Sequence, residues 1–314
     1  MKIGIIGLGY VGQLHAEIIE NLNSEIKCYV YDVTSNVALD FAKDHKCEAV
    51  NTLEELLSKA DAVIISTPTF THYDLVMKAI EKGKHILCEK PMTLYIEEAQ
   101  KIYDEAKKKK IICAIGFNYR FFEITQILKS KIQIGHIKNI HIEIKRLFRN
   151  DWHNKENGVL ADLGIHLIDY ITYICNEDID LNSCSVSRKY IDDWDYDSKV
   201  NGKLTNGTLF ELSASRIKEE DDVKFTFEIV GTKGKIIYDS RNETSYIIEK
   251  NNKCEIYYFE KKEKTDSFFD FTDSILRQDI DWIKTITGED KHNIATFKDG
   301  LQAQKALNCF LSKE

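Results

Sequence analysis

The chain has 314 residues, long for a single compact core, so two domains are expected. Its hydrophobic content of 43% is enough for a buried core, and its net charge of -8 offers no overall field to draw in nucleic acid or an anionic membrane surface. Eight cysteines occur with no C-x-x-C pair, which argues against a zinc knuckle or a redox motif; no metal is expected, and the cysteines read as small buried hydrophobes of a reducing, cytoplasmic compartment. No secretion signal is evident, and no apolar run approaches the ~18 residues of a membrane span.

Over roughly the first 118 residues, strand and helix patterns alternate. Lys2 to Ile6 reads as a strand, the stretch after Gly12 as a helix, and Ile26 to Tyr31 as a second strand. Helix Ser35 to Lys43, short strand Ala49-Val50 and helix Thr52 to Ser58 follow, the last with Glu54 and Glu55 in its first turn. Ala62 to Ile65 is a wholly apolar strand, Thr71 to Lys82 a helix stopped by Gly83, and His85 to Cys88 a strand. Helix Ile96 to Lys108 then leads to strand Ile111 to Ile115, and the lysines at 107 to 110 complement a helix C-terminus. Continuous apolar strands separated by helices predict a parallel sheet covered on both faces.

The rhythm changes after Phe117. Helix Phe121 to Lys131, strand Ile137 to Leu147 and helix Leu160 to Ile174 come first. Strands over about 180 to 260 are broken by Asn201-Gly202, Asn206-Gly207 and Gly231 to Gly234, which read as hairpin turns. Helices near Phe268 to Thr287 and Phe297 to Leu311 close the chain. The second domain, 119–314, is therefore expected to be α+β with a large, mostly antiparallel open sheet.

Gly7-Leu8-Gly9-Tyr10-Val11-Gly12 stands between a predicted strand and a predicted helix, the context a G-x-G-x-x-G needs. The first glycine permits the tight turn, the second the approach of a pyrophosphate, the third close helix–strand packing. The helix N-terminus, from Tyr10 and Val11 onward, then offers N–H groups to phosphates. Asp32 lies twenty residues past Gly12, where a carboxylate accepts both ribose hydroxyls and repels a 2′-phosphate. Val33, Thr34 and Ser35 follow without a basic residue, so NAD is expected rather than NADP. Residues 1–118 are thus expected to be a Rossmann-type α/β domain binding a dinucleotide. The loop Ser66 to His72 follows a parallel strand at its ligand-binding end, which makes Thr67, Pro68 and His72 cofactor candidates; Thr71 is a candidate helix cap.

The chain's two prolines, Pro68 and Pro91, both follow predicted parallel strands. Glu89-Lys90-Pro91 brings a lysine to the nicotinamide end. Oxidation of an alcohol requires its proton to leave as the carbonyl forms, and a lysine there is suited to polarise the oxygen or take part in that transfer. Asp162, His166 and Asp169 have i, i+4 and i, i+3 spacing, which on an α-helix makes one polar stripe. A neutral histidine can accept the proton while a carboxylate fixes its tautomer.

Together these pieces resemble the glucose–fructose oxidoreductase / inositol dehydrogenase / rhizopine-catabolism (Gfo/Idh/MocA) family. The matching stretches are Gly7 to Gly12, Thr67 to His72, Glu89-Lys90-Pro91, Gly116 to Phe121 and Asp162 to Asp169, in the family's order over both domains. The resemblance implies NAD-dependent oxidation or reduction of a sugar, cyclitol or nucleotide-sugar. It implies Lys90 and His166 as the acid–base pair with Asp162 assisting, Glu89 beside the cofactor, and substrate contacts from Arg120 and Asp169, with Asn118, Trp152 and Lys90 itself expected among them. It also implies homodimers or homotetramers packed through the second domain's open sheet. The family's usual glycine run before the Asp–His helix is replaced by Glu156-Asn157-Gly158. A cofactor-recycling aldose–ketose oxidoreductase and a non-catalytic NAD-binding sensor remain alternatives. Arg146, Arg149 and His153 are further pocket candidates through their proximity to that helix.

Overall fold

The computed structural model describes residues 1–22, 25–131, 134–148, 158–241, 245–250, 253–258, 271–289 and 293–313. They divide into two compact units, one of residues 1–121 with 272–304, the other of residues 122–271 with 305–314.

In the first unit the elements are β1 (Lys2–Ile6), α1 (Tyr10–Leu22), β2 (Lys27–Tyr31), α2 (Ser35–Asp44), β3 (Glu48–Ala49), α3 (Leu53–Lys59), β4 (Ala62–Ile65), α4 (His72–Glu81), β5 (His85–Cys88), α5 (Ile96–Lys108) and β6 (Cys113–Ile115). The strands lie in the order β3-β2-β1-β4-β5-β6 and pair in parallel, the doubly wound arrangement expected of a dinucleotide fold. Every residue of β4 is buried, as is Ile3 to Ile6 in β1, because helices cover both faces. Helix α3 starts where its cap permits: the Thr52 hydroxyl accepts from the Glu55 amide at 3.1 Å, and the Glu55 carboxylate accepts from the Asn51 amide at 3.0 Å.

The second unit contains α6 (Glu123–Lys131), β7 (Ile137–Leu147), a π-helical turn at Leu160–Gly164 that runs into α7 (Ile165–Cys175), and then β8 (Ile179–Ile191), β9 (Trp194–Leu204), β10 (Leu209–Ile217), β11 (Lys224–Gly231), β12 (Gly234–Asp239), β13 (Ser245–Lys250) and β14 (Lys253–Tyr258). The sheet order is β14-β13-β12-β11-β7-β10-β9-β8. All its pairings among the described residues are antiparallel except β7 with β10. Ile140, Ile142 and Ile144 alternate inward on β7 beside Phe225 and Phe227 of β11, and Tyr170 of α7 packs edge-on against Phe225 at 5.6 Å.

Three expectations change here. Asn201-Gly202 is no turn but lies inside β9; a Cβ on Gly202 would come within 2.6 Å of Cys184 Sγ and 2.9 Å of Phe210, so the glycine serves close packing. The turns at Asn206-Gly207 and between β11 and β12 are present, the former with Gly207 at φ +88°. Helix α8 (Phe271–Ile286) and strand β15 (Ala295–Thr296) belong with the first unit, although sequence order suggests the second: Trp282 is fully buried in the core of Ile3, Ile5, Ile19 and Val30, and β15 pairs antiparallel with β6. Helix α9 (Phe297–Leu311) begins in that same return segment. No helix among the described residues is long and apolar enough to cross a membrane. Five of the cysteines are buried, whereas Cys254 is exposed and Cys175 and Cys309 are half-buried.

Candidate active site

Gly7 follows β1 with φ +89°, a conformation that only glycine adopts readily, and its amide donates to the Tyr31 carbonyl at 2.8 Å. A Cβ on Gly12 would collide with the Gly7 carbonyl and lie 2.6 Å from Ser66 Oγ. That contact is internal to the fold. Gly9 differs: a Cβ there would meet nothing within 4 Å, and nothing in the chain itself demands a glycine. The space above it is open, leaving room for a group brought from outside. Its carbonyl accepts from Gln13, so it is the first capping residue of α1, and Tyr10 beside it is 74% exposed. Val11 is half-buried.

Asp32 follows β2, and its carboxylate is set by two backbone amides, Leu8 at 2.9 Å and Thr34 at 2.8 Å. The loop after β4 is tied to the glycine loop through Ser66 Oγ, which donates to the Gly7 carbonyl at 2.9 Å. Thr71 does not cap α4. Its hydroxyl donates to the Pro68 carbonyl at 2.7 Å and lies 2.6 Å from Thr67 Oγ1. Pro68 is exposed and Thr67 half-buried, while His72 is fully buried. The His72 ring nitrogens are each 2.9 Å from a carbonyl, those of Pro91 and Thr67, and burial holds its pKa below the usual histidine range. His72 therefore staples the loop after β4 to the one after β5.

Glu89 and Lys90 follow β5, both half-buried, and the Lys90–Pro91 bond is cis. The Glu89 carboxylate accepts from the Lys90 amide at 3.3 Å and lies 3.4 Å from His15. Asn118 and Arg120 are buried on a 3₁₀ turn: Asn118 donates to Ser274 Oγ at 2.8 Å, and Arg120 pairs with Asp299 at 3.1 Å. Burial alone would raise the Asp299 pKa, but Arg120 and Thr296 hold it below the ordinary value.

In the second unit, Asp162, His166 and Asp169 are all buried. Asp162 sits in the π turn, and His166 and Asp169 in the α-helix that follows it, so the His166–Asp169 spacing falls within regular α-helix while Asp162 is presented from the wider turn before it. Residues 158 to 171 are buried throughout; the segment is enclosed on every side. Two residues that hold it escaped the sequence reading. Arg216 of β10 pairs with Asp162 and also donates to the Leu147 carbonyl at 3.1 Å. Asp195 accepts from the Leu160 amide at 3.1 Å and from the Ser198 hydroxyl. A Cβ on Gly158, itself at φ +64°, would strike Asp195, so this glycine is required where the family's run of glycines is shortened. The available signal was polarity at strand positions whose alternation points inward: Arg216 continues Leu212 and Ala214 on β10. Trp152, His153 and Arg149 lie outside the described residues; Arg146, in register with Arg216, is half-buried at the end of β7.

The parallel sheet of the first unit, with a glycine loop after its first strand and a carboxylate after its second, has the arrangement of a dinucleotide-binding domain. Comparison with known proteins makes this specific. The profile described as oxidoreductase family, NAD-binding Rossmann fold matches residues 1–117, and the GFO/IDH/MocA C-terminal domain matches 123–237. Among curated relatives, glucose-6-phosphate 3-dehydrogenase of Bacillus subtilis is 30% identical, covering 100% of this chain and 96% of that protein. Myo-inositol 2-dehydrogenase of Thermotoga maritima is 28% identical over 79% of this chain and 78% of its own. The solved UDP-N-acetylglucosamine 3-dehydrogenase of Acidithiobacillus ferrooxidans shares the fold with a TM-score of 0.86 at 23% identity, covering 100% and 98% of the two chains. The chain belongs to the Gfo/Idh/MocA family of NAD-dependent oxidoreductases. Gly7, Gly9, Gly12, the start of α1 and Asp32 fit that cofactor: the space above Gly9 admits a pyrophosphate, and Asp32 carries the charge that suits unphosphorylated ribose.

Proposed function

We propose that this enzyme moves a hydride between NAD and the carbinol or ketone carbon of a sugar, cyclitol or nucleotide-sugar. End-to-end similarity to a sugar-phosphate dehydrogenase carries the reading. Presence of Lys90, Asp162, His166 and Asp169 in this chain supports it, since mere cofactor binding has no use for a proton relay. Bound NAD supplies the hydride acceptor or donor. Lys90 Nζ polarises the substrate oxygen, and the His166 imidazole takes or returns its proton, a transfer worth roughly 10²–10⁴-fold in rate. Asp162, fixed by Arg216, orients His166, and Asp169 binds a neighbouring hydroxyl. Asn118 and Arg120, engaged by Ser274 and Asp299, hold their own segment in place. Residues 1–118 are assigned to the cofactor and 119–314 mainly to substrate and assembly, with the return segment 272–304 as the exception. The protein assembles as a homodimer or homotetramer in the cytoplasm through the outer face of the eight-stranded sheet. That face carries the exposed Leu209 and a depression of about 430 Å³ lined in part by Asn139, His141 and Glu211.

The test is NADH formation with NAD against a panel of free aldoses, sugar phosphates, inositols and nucleotide-sugars. Turnover of one class is expected. Silence across the panel from a protein that binds NADH would overturn the reading.

A further inference from the structure

One buried charged cluster in the first unit stands apart from the groups assigned to substrate and proton transfer. His15 lies on α1, three residues past Gly12, and is fully buried. Its Nδ1 is 2.7 Å from Asp279 Oδ2 on α8, and its Nε2 is 3.4 Å from Glu89 Oε1. Asp279 is likewise fully buried, and the Glu89 side chain is 16% exposed. The other Glu89 oxygen accepts from the Lys90 amide at 3.3 Å. On the remaining side stands Gly116, where a Cβ would run into the Glu89 carboxylate. The carboxylate is thus wedged between an imidazole, a glycine backbone and the residue assigned to polarise the substrate.

We propose that His15, paired to Asp279 beneath the Glu89-Lys90-Pro91 turn, is a positioning residue that fixes Glu89 and through it the backbone from which Lys90 projects. The inference rests on the assignment of Lys90 made above. Two ionised carboxylates facing the two ring nitrogens require both to be donors, a condition only the imidazolium meets, and although burial pushes the Asp279 carboxyl upward, the charge and hydrogen bond of His15 act against that rise. Burial by itself lowers the His15 pKa, but the charge and hydrogen bond of Asp279, with Glu89 behind them, raise it to about 10. At neutral pH the chain of contacts runs carboxylate, imidazolium, carboxylate, amide, ending at Lys90. Such chains hold their members in single positions because each alternative strands a buried charge. The device also accounts for the return segment: Asp279 serves Glu89 through His15, Ser274 serves Asn118, and Asp299 serves Arg120.

The test is a double-mutant cycle between His15→Gln and Glu89→Gln, with Lys90→Ala alongside, on the panel substrate that turns over. A displacement of order 1 Å at a reacting group costs up to ~10²-fold, so His15→Gln is expected to lower kcat by about 10- to 100-fold, with the KM for NAD changed by less than about 3-fold. In the Glu89→Gln background the same change should add less than about 2-fold. His15→Gln/Asp279→Asn, which removes both charges together, guards against loss of the fold and should show the same kcat defect. Hydrogen exchange of the peptide spanning 86–93 supplies a readout that needs no substrate and should quicken in both His15 variants while β1 is unaffected. Unchanged kcat, full additivity with Glu89→Gln, or unaltered exchange would overturn the inference. Wild-type turnover by Lys90→Ala would overturn the assignment of Lys90 and this inference with it; a defect in Lys90→Ala without one in His15→Gln would overturn this inference alone.

Discussion

A methyl group added at Gly9 and one added at Gly12 should separate two roles of the nucleotide loop. At Gly9 the new carbon meets nothing within 4 Å, so the fold loses only the capping advantage of glycine over alanine, about 0.5 kcal/mol. The pyrophosphate, however, is displaced from the loop amides. Hydrogen bonds to a charged group contribute roughly 1.5–3 kcal/mol, so NADH affinity should fall about 10- to 150-fold for each one lost. At Gly12 the carbon runs into the Gly7 carbonyl and approaches Ser66 Oγ to 2.6 Å. Backbone must move, at the upper end of the ~1–3 kcal/mol typical of overpacking, which lowers Tm by roughly 5–10 °C for a unit of this size. Titration by NADH fluorescence and calorimetric unfolding of both variants read the two effects. If Gly9→Ala bound NADH within about 2-fold of wild type, or Gly12→Ala melted unchanged, the geometric division of labour would be refuted.

Asp32→Asn should weaken NADH about tenfold while NADPH binding falls less or improves, since the carboxylate charge is what excludes a 2′-phosphate; parallel titrations showing equal losses would contradict this. Arg216→Met leaves the Asp162 carboxylate buried without its guanidinium, an expected loss of about 3–5 kcal/mol in urea unfolding. Arg216→Lys should not restore it, because one ammonium cannot replace the fork that reaches both Asp162 and the Leu147 carbonyl. His15 has a folded pKa of about 10 against 6.5 unperturbed, so its contribution is fully present below pH 6.5 and is lost as pH rises through about 10. The Tm advantage of wild type over His15→Gln should therefore shrink across that interval in scanning calorimetry, and a constant difference would argue for a neutral ring.

Much of this was legible in the sequence where local pattern and chemistry coincide. The boundaries of β1, β4, β5, α5 and β7 are as read, because wholly apolar runs and clear alternation leave one interpretation. The glycine loop and Asp32 were legible because each residue type there has a single backbone or charge requirement. What failed was long-range. Nothing local says that α8 packs Trp282 into a core begun at Ile3, or that Asp279 reaches a histidine 264 residues earlier. Helical spacing cannot reveal the π turn that carries Asp162. Gly202 shows the converse case, a turn-like dipeptide whose glycine answers to Cys184 and Phe210 across the sheet.

The most direct test of the central claim follows the transferred atom. The panel substrate carrying deuterium on its carbinol carbon is incubated with NAD, and the NADH formed is analysed by mass spectrometry for wild type, Lys90→Ala and His166→Asn. One deuterium per NADH is expected with wild type, and formation slowed by roughly 10²–10⁴-fold in each variant. Unlabelled NADH, or variants that form labelled NADH at the wild-type rate, would contradict it.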